Sequence, residues 1–268
     1  MRGTPIAVLP MYDFPWIVGA NDALWASISA RLAEAGVQSP KALTRGPNPA
    51  AQWRDPTLIF GQACGYPYVA GLKDAVTLIA APEYAFPGCD GAAHRSFLVC
   101  RARDPRRALG EFRGSTAALN GWDSNTGMNL FRATVAPIAR GAPFFRAVVV
   151  TGSHEASVMA VADGRADLAS IDCVSFALIE RGRPELVERV VAESPLSPGL
   201  PFIASARLGA PTIAAVREAL IGALADPRVA EARAVLGLKG ARPTSPAEYD
   251  RVAEIERDAS AAGYARLA

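Results

Sequence analysis

Apolar residues recur along this chain in two rhythms. Short runs such as Ile6-Ala7-Val8-Leu9 and Val148-Val149-Val150 have the length of strands. Between such runs, apolar positions fall three and four residues apart, as on one face of a helix. Leu24, Ile28 and Leu32 predict a helix over 21–36, ended by Gly36. Strands are expected at 6–12, at the start of "TLIFGQACGYPYVAGL" before its turn-rich remainder, in "AVTLIAAPEY", and at 95–102. "STAALNG" reads as a strand feeding a helix over 124–139, where Met128, Phe131, Val135 and Ile138 share a face. A strand at 145–153 feeds a helix over 154–163, and "ADLASIDCVSFALIE" repeats the pattern. "LVERVVAES" and residues 200–208 read as further strands. Pro211 opens a helix lined by Ile213, Val216, Leu220 and Leu224, and "DPRVAEARAVLG" and 246–262 complete the set. The stretch 41–56, with three prolines and no period, reads as a loop.

Strand-helix-strand order throughout predicts an α/β fold with mainly parallel sheets. Two stretches look like crossings between lobes: "FLVCRARDP" near 97–106 and the proline-rich "SPLSPGLP" near 194–201. They bracket a second lobe, 99–198, inserted into a first lobe formed by 1–98 and 199–268. Two lobes joined by two crossings make a cleft suited to a small ligand, with hinge closure around it.

Three strand ends carry polar clusters, where open α/β sheets place their ligands. Tyr12-Asp13 follows "IAVLPM"; "DSNTG" supplies Ser124, Asn125, Thr126 and Gly127; "GSHE" supplies Ser153 and His154; and Asp172 ends "LASID". A helix start with unpaired N–H groups and a positive dipole end suits an anion. The competing reading is structural: Ser124, Ser153 and Asp172 as helix caps, each worth about 1 kcal/mol, and Tyr12 as a buried aromatic. One cap, however, does not account for Asn125 and Thr126 as well. The two histidines of the chain, His94 and His154, both adjoin a Ser or an Arg-Ser pair at a strand edge and can donate to an oxyanion.

The bulk properties narrow the classes. The chain has 268 residues, 50% of them hydrophobic, and a net charge of +2, which leaves no basic footprint for nucleic acid. No apolar run reaches membrane-span length, so no membrane insertion is expected. "MRGTPIAVLPMYDFPW" has no signal-peptide core, so a cytoplasmic location is expected unless a leader has been removed. Cys64, Cys89, Cys100 and Cys173 form no CxxC pair, so no metal is expected; Cys64 and Cys89, each in a Gly/Pro turn, are candidates to face each other, more as thiols than as a disulfide. There is no P-loop, no G-x-G-x-x-G and no G-x-S-x-G, hence no cofactor and no nucleophile elbow.

Against that background, "VVVTGSHEASVMAVADGRADLASIDCVSFALI" resembles the second-lobe segment of the PhnD-like phosphonate, phosphite and phosphate solute-binding proteins of ABC transporters. "NGWDSNTGMNL" resembles that family's Ser-Thr-Ser-Gly turn, "LIFGQACGYPYV" its first-lobe segment, and "AAHRSFLVCRARDP" its crossing strand. The resemblance runs over about 5–225. It implies a two-lobed type II periplasmic-binding fold, no catalysis, a small tetrahedral oxoanion as ligand and an ABC permease as partner. It also implies roles: Ser124, Asn125 and Thr126 on the oxygens with Gly127 N–H, His154 and Ser153 at the second helix start, Tyr12 and His94 from the first lobe, and Asp172 toward a ligand amino group. The chain departs from the family's pattern at Asn125, where Thr or Ser is more usual, and at His94, where Tyr is common. Two other classes stand beside it: a cytoplasmic ligand sensor with the same lobes, and a Ser/Cys–His hydrolase.

Overall fold

The computed structural model describes residues 3–186 and 188–268. Met1 and Arg2 of the N-terminal stretch, and Val187 of the strand expected in "LVERVVAES", lie outside them. In chain order the elements are β1 (Ile6–Val8), α1 (Val18–Glu34), α2 (Pro49–Trp53), β2 (Leu58–Gln62), α3 (Gly65–Pro67), β3 (Val76–Tyr84), β4 (Ala93–His94), β5 (Ser96–Arg101) and β6 (Thr116–Leu119). Then follow α4 (Leu130–Ala139), β7 (Ala147–Val150), α5 (His154–Ala162), β8 (Leu168–Asp172), α6 (Cys173–Gly182), β9 (Glu188–Glu193), β10 (Ser197–Pro198), β11 (Phe202–Ser205), α7 (Ala210–Ala225), α8 (Ala230–Leu236), β12 (Leu238–Arg242) and α9 (Pro246–Ala261).

Two compact units result. The first holds residues up to Ala85 and Gly199–Glu248, around a sheet of order β1-β2-β11-β3-β12. Its core joins helix to sheet through aromatic rings: Trp25 of α1 stacks on Phe60 of β2, and Phe60 on Phe202 of β11. The apolar faces read from the spacing are the buried ones: Leu24, Ile28 and Leu32 on α1, and Ile213, Val216, Leu220 and Leu224 on α7.

The second unit holds Phe86–Pro198 and Tyr249–Ala268, around a sheet of order β7-β6-β8-β5-β9. Residues 86–98 and 249–268, expected with the first lobe, belong here. The reason is pairing: β5 sits between β8 and β9, with Phe97 opposite both Ile171 and Glu193. The chain's C-terminal stretch is bound in as well, since Phe144 N–H donates to the Ala268 carbonyl and Arg132 to the Ala265 carbonyl.

Both sheets are mixed rather than mainly parallel. β1 and β2 are parallel, as are β6 with β7 and with β8. β11 enters antiparallel between β2 and β3, and β5 antiparallel between β8 and β9. Local strand-helix alternation constrains sequence neighbours only, and these two strands find distant ones. Smaller differences have local causes. The strand expected over 6–12 stops at Val8, because Pro10 opens a tight helical turn over Pro10–Tyr12. The loop at 41–56 contains α2, with Asn48 as its cap and Pro49 at its first position. β12 pairs with β3 although "LKGAR" carries little strand signal of its own.

Candidate functional site

β6 delivers the chain into "NGWDSNTG". Ser124 caps the turn that follows, its Oγ accepting from Gly127 N–H at 2.9 Å. The turn is wider than an α-turn: Asn129 N–H donates to the Ser124 carbonyl five residues back, at 3.1 Å. Such wide turns gather at functional sites. Gly127 is required by close approach, since a Cβ there would lie 1.8 Å from Asn120 Oδ1.

The polar side chains of this turn are buried, and each has a partner brought from elsewhere in the unit. Asn125 donates from Nδ2 to Ser197 Oγ at 2.9 Å and accepts at Oδ1 from Asn129 at 3.1 Å. Arg132 then donates to Asn129 Oδ1 at 2.8 Å. Thr126 Oγ1 lies 3.0 Å from His154 Nε2, at the first turn of α5. The Thr126 carbonyl accepts from Ser96 and Ser170, at 2.8 and 2.6 Å. These two serines stand on the adjacent strands β5 and β8 and hold the turn in place.

Asp172, at the end of β8, caps α6 through Oδ1, which accepts from Val174 and Ser175 N–H at 2.9 and 3.0 Å. Its Oδ2 is 3.0 Å from His94 Nδ1, both side chains almost wholly buried. Burial works against charging either group, but the partner prevails in both cases. The Asp172 carboxylate, by charge and hydrogen bond, lifts His94 above the usual imidazole range, and His94 holds Asp172 below the usual carboxylate range. The ion pair therefore favours the charged, imidazolium form of His94. His154, without a paired carboxylate, is pushed below its usual range by burial and is neutral. Two ring nitrogens, His94 Nε2 and His154 Nδ1, are buried with no hydrogen-bond partner among the described residues. An imidazolium Nε2–H left this way is a strong donor waiting for an acceptor.

The expected residues are thus brought together only in part. Ser124, Asn125, Thr126, Gly127, His154, Asp172 and His94 share one end of the second unit's sheet. His94 comes from this unit and not from the first, because β4 pairs with β10, His94 opposite Ser197. Gly127 N–H is spent on Ser124, and Asp172 on its helix and on His94. Ser153 caps α5 by accepting from Ala156 N–H and stands exposed. Tyr12 is buried in the first unit, edge-on to Tyr84 at 5.5 Å. The supporting residues escaped the sequence reading. The spacing of Asn129, four residues after Asn125, could have found it; Ser96, Ser170 and Ser197 carried no local signal. The cysteines also regroup: Cys89 meets Cys173, while Cys64 belongs to the first unit.

Solved structures share this architecture. The binding-protein component of an ABC phosphonate transporter from Pseudomonas aeruginosa has 15% identity, with 97% of this chain and 88% of that one aligned at a TM-score of 0.78. PhnD1 from Prochlorococcus marinus, in complex with methylphosphonate, has 14% identity over 96% of this chain and 98% of that one, at 0.74. A Xanthomonas citri protein bound to ATP has 15% identity over 97% and 98%, at 0.71. Among curated protein sequences none matches the chain. The fold is that of the periplasmic binding proteins, an α/β class built of two units. Within that class the family is specific: the model for periplasmic substrate-binding proteins of phosphonate ABC transporters matches residues 58–249, and the chain belongs to that family. Among the described residues no helix is long and apolar enough to cross a membrane.

Proposed function

We propose that this protein binds a small phosphonate-like oxoanion, without transforming it, for delivery to an ABC permease, and that it does so in the periplasm. The observation that carries the reading is the unpartnered Nε2 of the His94 imidazolium, buried beside the Thr126–His154 pair. An anion oxygen satisfies that donor, and the Thr126 hydroxyl supplies another. Charge-assisted bonds of this kind contribute roughly 1.5–3 kcal/mol each, enough for micromolar binding after ordering costs. Neutral His154 orients Thr126, and Asn125 shapes the turn through Ser197 and Asn129. Asp172 serves His94 and not a ligand amino group, so the preferred ligand lacks one there.

The test is a thermal-shift and calorimetric panel of phosphate, phosphite, methylphosphonate, an aminoalkyl phosphonate and a sulfonate. A ligand at 100 times its Kd stabilises by about 2.7 kcal/mol. Methylphosphonate is expected to outbind its aminoalkyl counterpart. No shift with any anion overturns the binding reading; a preference for the amine overturns the role given to Asp172. Co-purification with permease subunits checks the partner.

A further inference from the structure

We propose that Cys89 and Cys173 are a disulfide-forming pair, a covalent modification site beside the His94–Asp172 ion pair. All four cysteines are thiols in this structure. Cys89 Sγ lies 3.5 Å from Cys173 Sγ across 84 positions of sequence. A disulfide has a sulfur–sulfur distance of about 2.05 Å, so closing the bond asks the two sulfurs to approach by about 1.5 Å.

The approach is built into the backbone. Gly88 has a φ of +89°, and a Cβ there would meet both Cys173 Cβ and the Phe97 ring at 2.8 Å. Only glycine lets the chain pass this close, and the next residue is Cys89. The turn is held on both sides: Cys89 N–H donates to the Phe86 carbonyl, and Asp90 and Ala93 exchange two 2.9 Å hydrogen bonds. Cys173 is the first residue of α6, whose cap is Asp172. The same two segments are therefore linked twice, by the ion pair from His94 to Asp172 and by the thiols from Cys89 to Cys173. Cys100 is elsewhere, with Arg189 donating to its sulfur at 3.2 Å.

The chemistry is thiol–disulfide exchange, with a small or protein disulfide as oxidant. Cys89, half-exposed, attacks one sulfur of the oxidant and releases the first thiol. Cys173 then attacks Cys89 Sγ, and the departing thiolate takes up its proton. Two protein thiols and one oxidant disulfide become one protein disulfide and two thiols. The Cys89 hydrogen bond and burial hold the Cys173 thiol above its ordinary range, which makes it the second partner to react.

The experiment treats the full chain with oxidised glutathione and counts thiols after denaturation. Two of the four are expected to be lost, with a non-reduced digest joining the Cys89 peptide to the Cys173 peptide. The melting temperature is expected to rise and to return on adding dithiothreitol. Cys89→Ser, at a half-exposed turn, abolishes both changes, while Cys100→Ser keeps them. Persistence of four thiols, a lasting glutathione adduct on Cys89, or a cross-link through Cys64 or Cys100 overturns the assignment.

Discussion

Each unit contains a strand that runs into a wide helical turn: β2 leads to Tyr68–Leu72, and β6 to Asn125–Asn129. In the first unit the buried residues of that turn are Tyr68 and Leu72, and Cys64, ahead of it, makes no side-chain cap. In the second unit all five residues are buried, three of them with polar side chains, and Ser124 caps the start. Burying amide and hydroxyl groups costs free energy unless each is bonded. The second unit meets that cost with Ser96, Ser170, Ser197, His154 and Asn129. A turn that only connects has no need of them, and the contrast supports the proposal that the second turn holds the ligand.

The largest test of this contrast is Asp172→Ala. It strands the buried His94 imidazolium and removes a cap, and is expected to cost about 3–5 kcal/mol in chemical denaturation. Gln62→Ala in the first unit loses hydrogen bonds to Tyr84 Oη and the Leu200 carbonyl and should cost only about 1–2 kcal/mol. Equal costs would break the comparison.

Thr126→Val comes next. Titration calorimetry should show anion affinity lower by about tenfold or more, from the loss of a charge-assisted bond. An unchanged Kd would remove Thr126 from the site.

Gly127→Ala drives a Cβ toward Asn120 Oδ1 and is expected to cost about 1–3 kcal/mol as overpacking. Its counterpart Gly71→Ala meets only the Arg54 guanidinium, at 3.2 Å. That flexible side chain can give way, so a smaller loss of melting temperature is expected there.

The finest distinction is in pH. His94 has a raised pKa in the fold, so the stability it contributes is complete below 6.5 and is lost as pH climbs through the folded value. Asp172 has a lowered one, so its share is present above 3.8 and is lost as pH falls through the folded value. The melting-temperature gap between wild type and His94→Gln should therefore be widest between these limits and narrow toward alkaline pH. A gap that grows with pH would show that His94 is neutral in the fold.

Most helices were legible because their apolar positions recur with a helical period, and α1 and α7 bury the faces so read. "DSNTG" stood out for a physical reason as well: more polar groups than one cap employs. Strand partners were not legible. β5 and β11 obey the same local pattern whether they lie parallel or antiparallel, and nothing in "RSFLVCRA" says that it joins β8 and β9. For the same reason His94 was expected in the wrong unit, and Cys89 beside the wrong cysteine.

The sequence by itself determined the alternation of strands and helices, the family likeness, and the polar turn at residues 124–127, because each depends on residues close together in the chain. Only the tertiary structure decided the state of that turn. Pairing of β5 with β8 sets Ser96 opposite Asp172 and so brings His94, two residues earlier, to the Asp172 carboxylate, where the charge of each partner outweighs the burial that disfavours it. That contact spans 78 positions, and no local period encodes it.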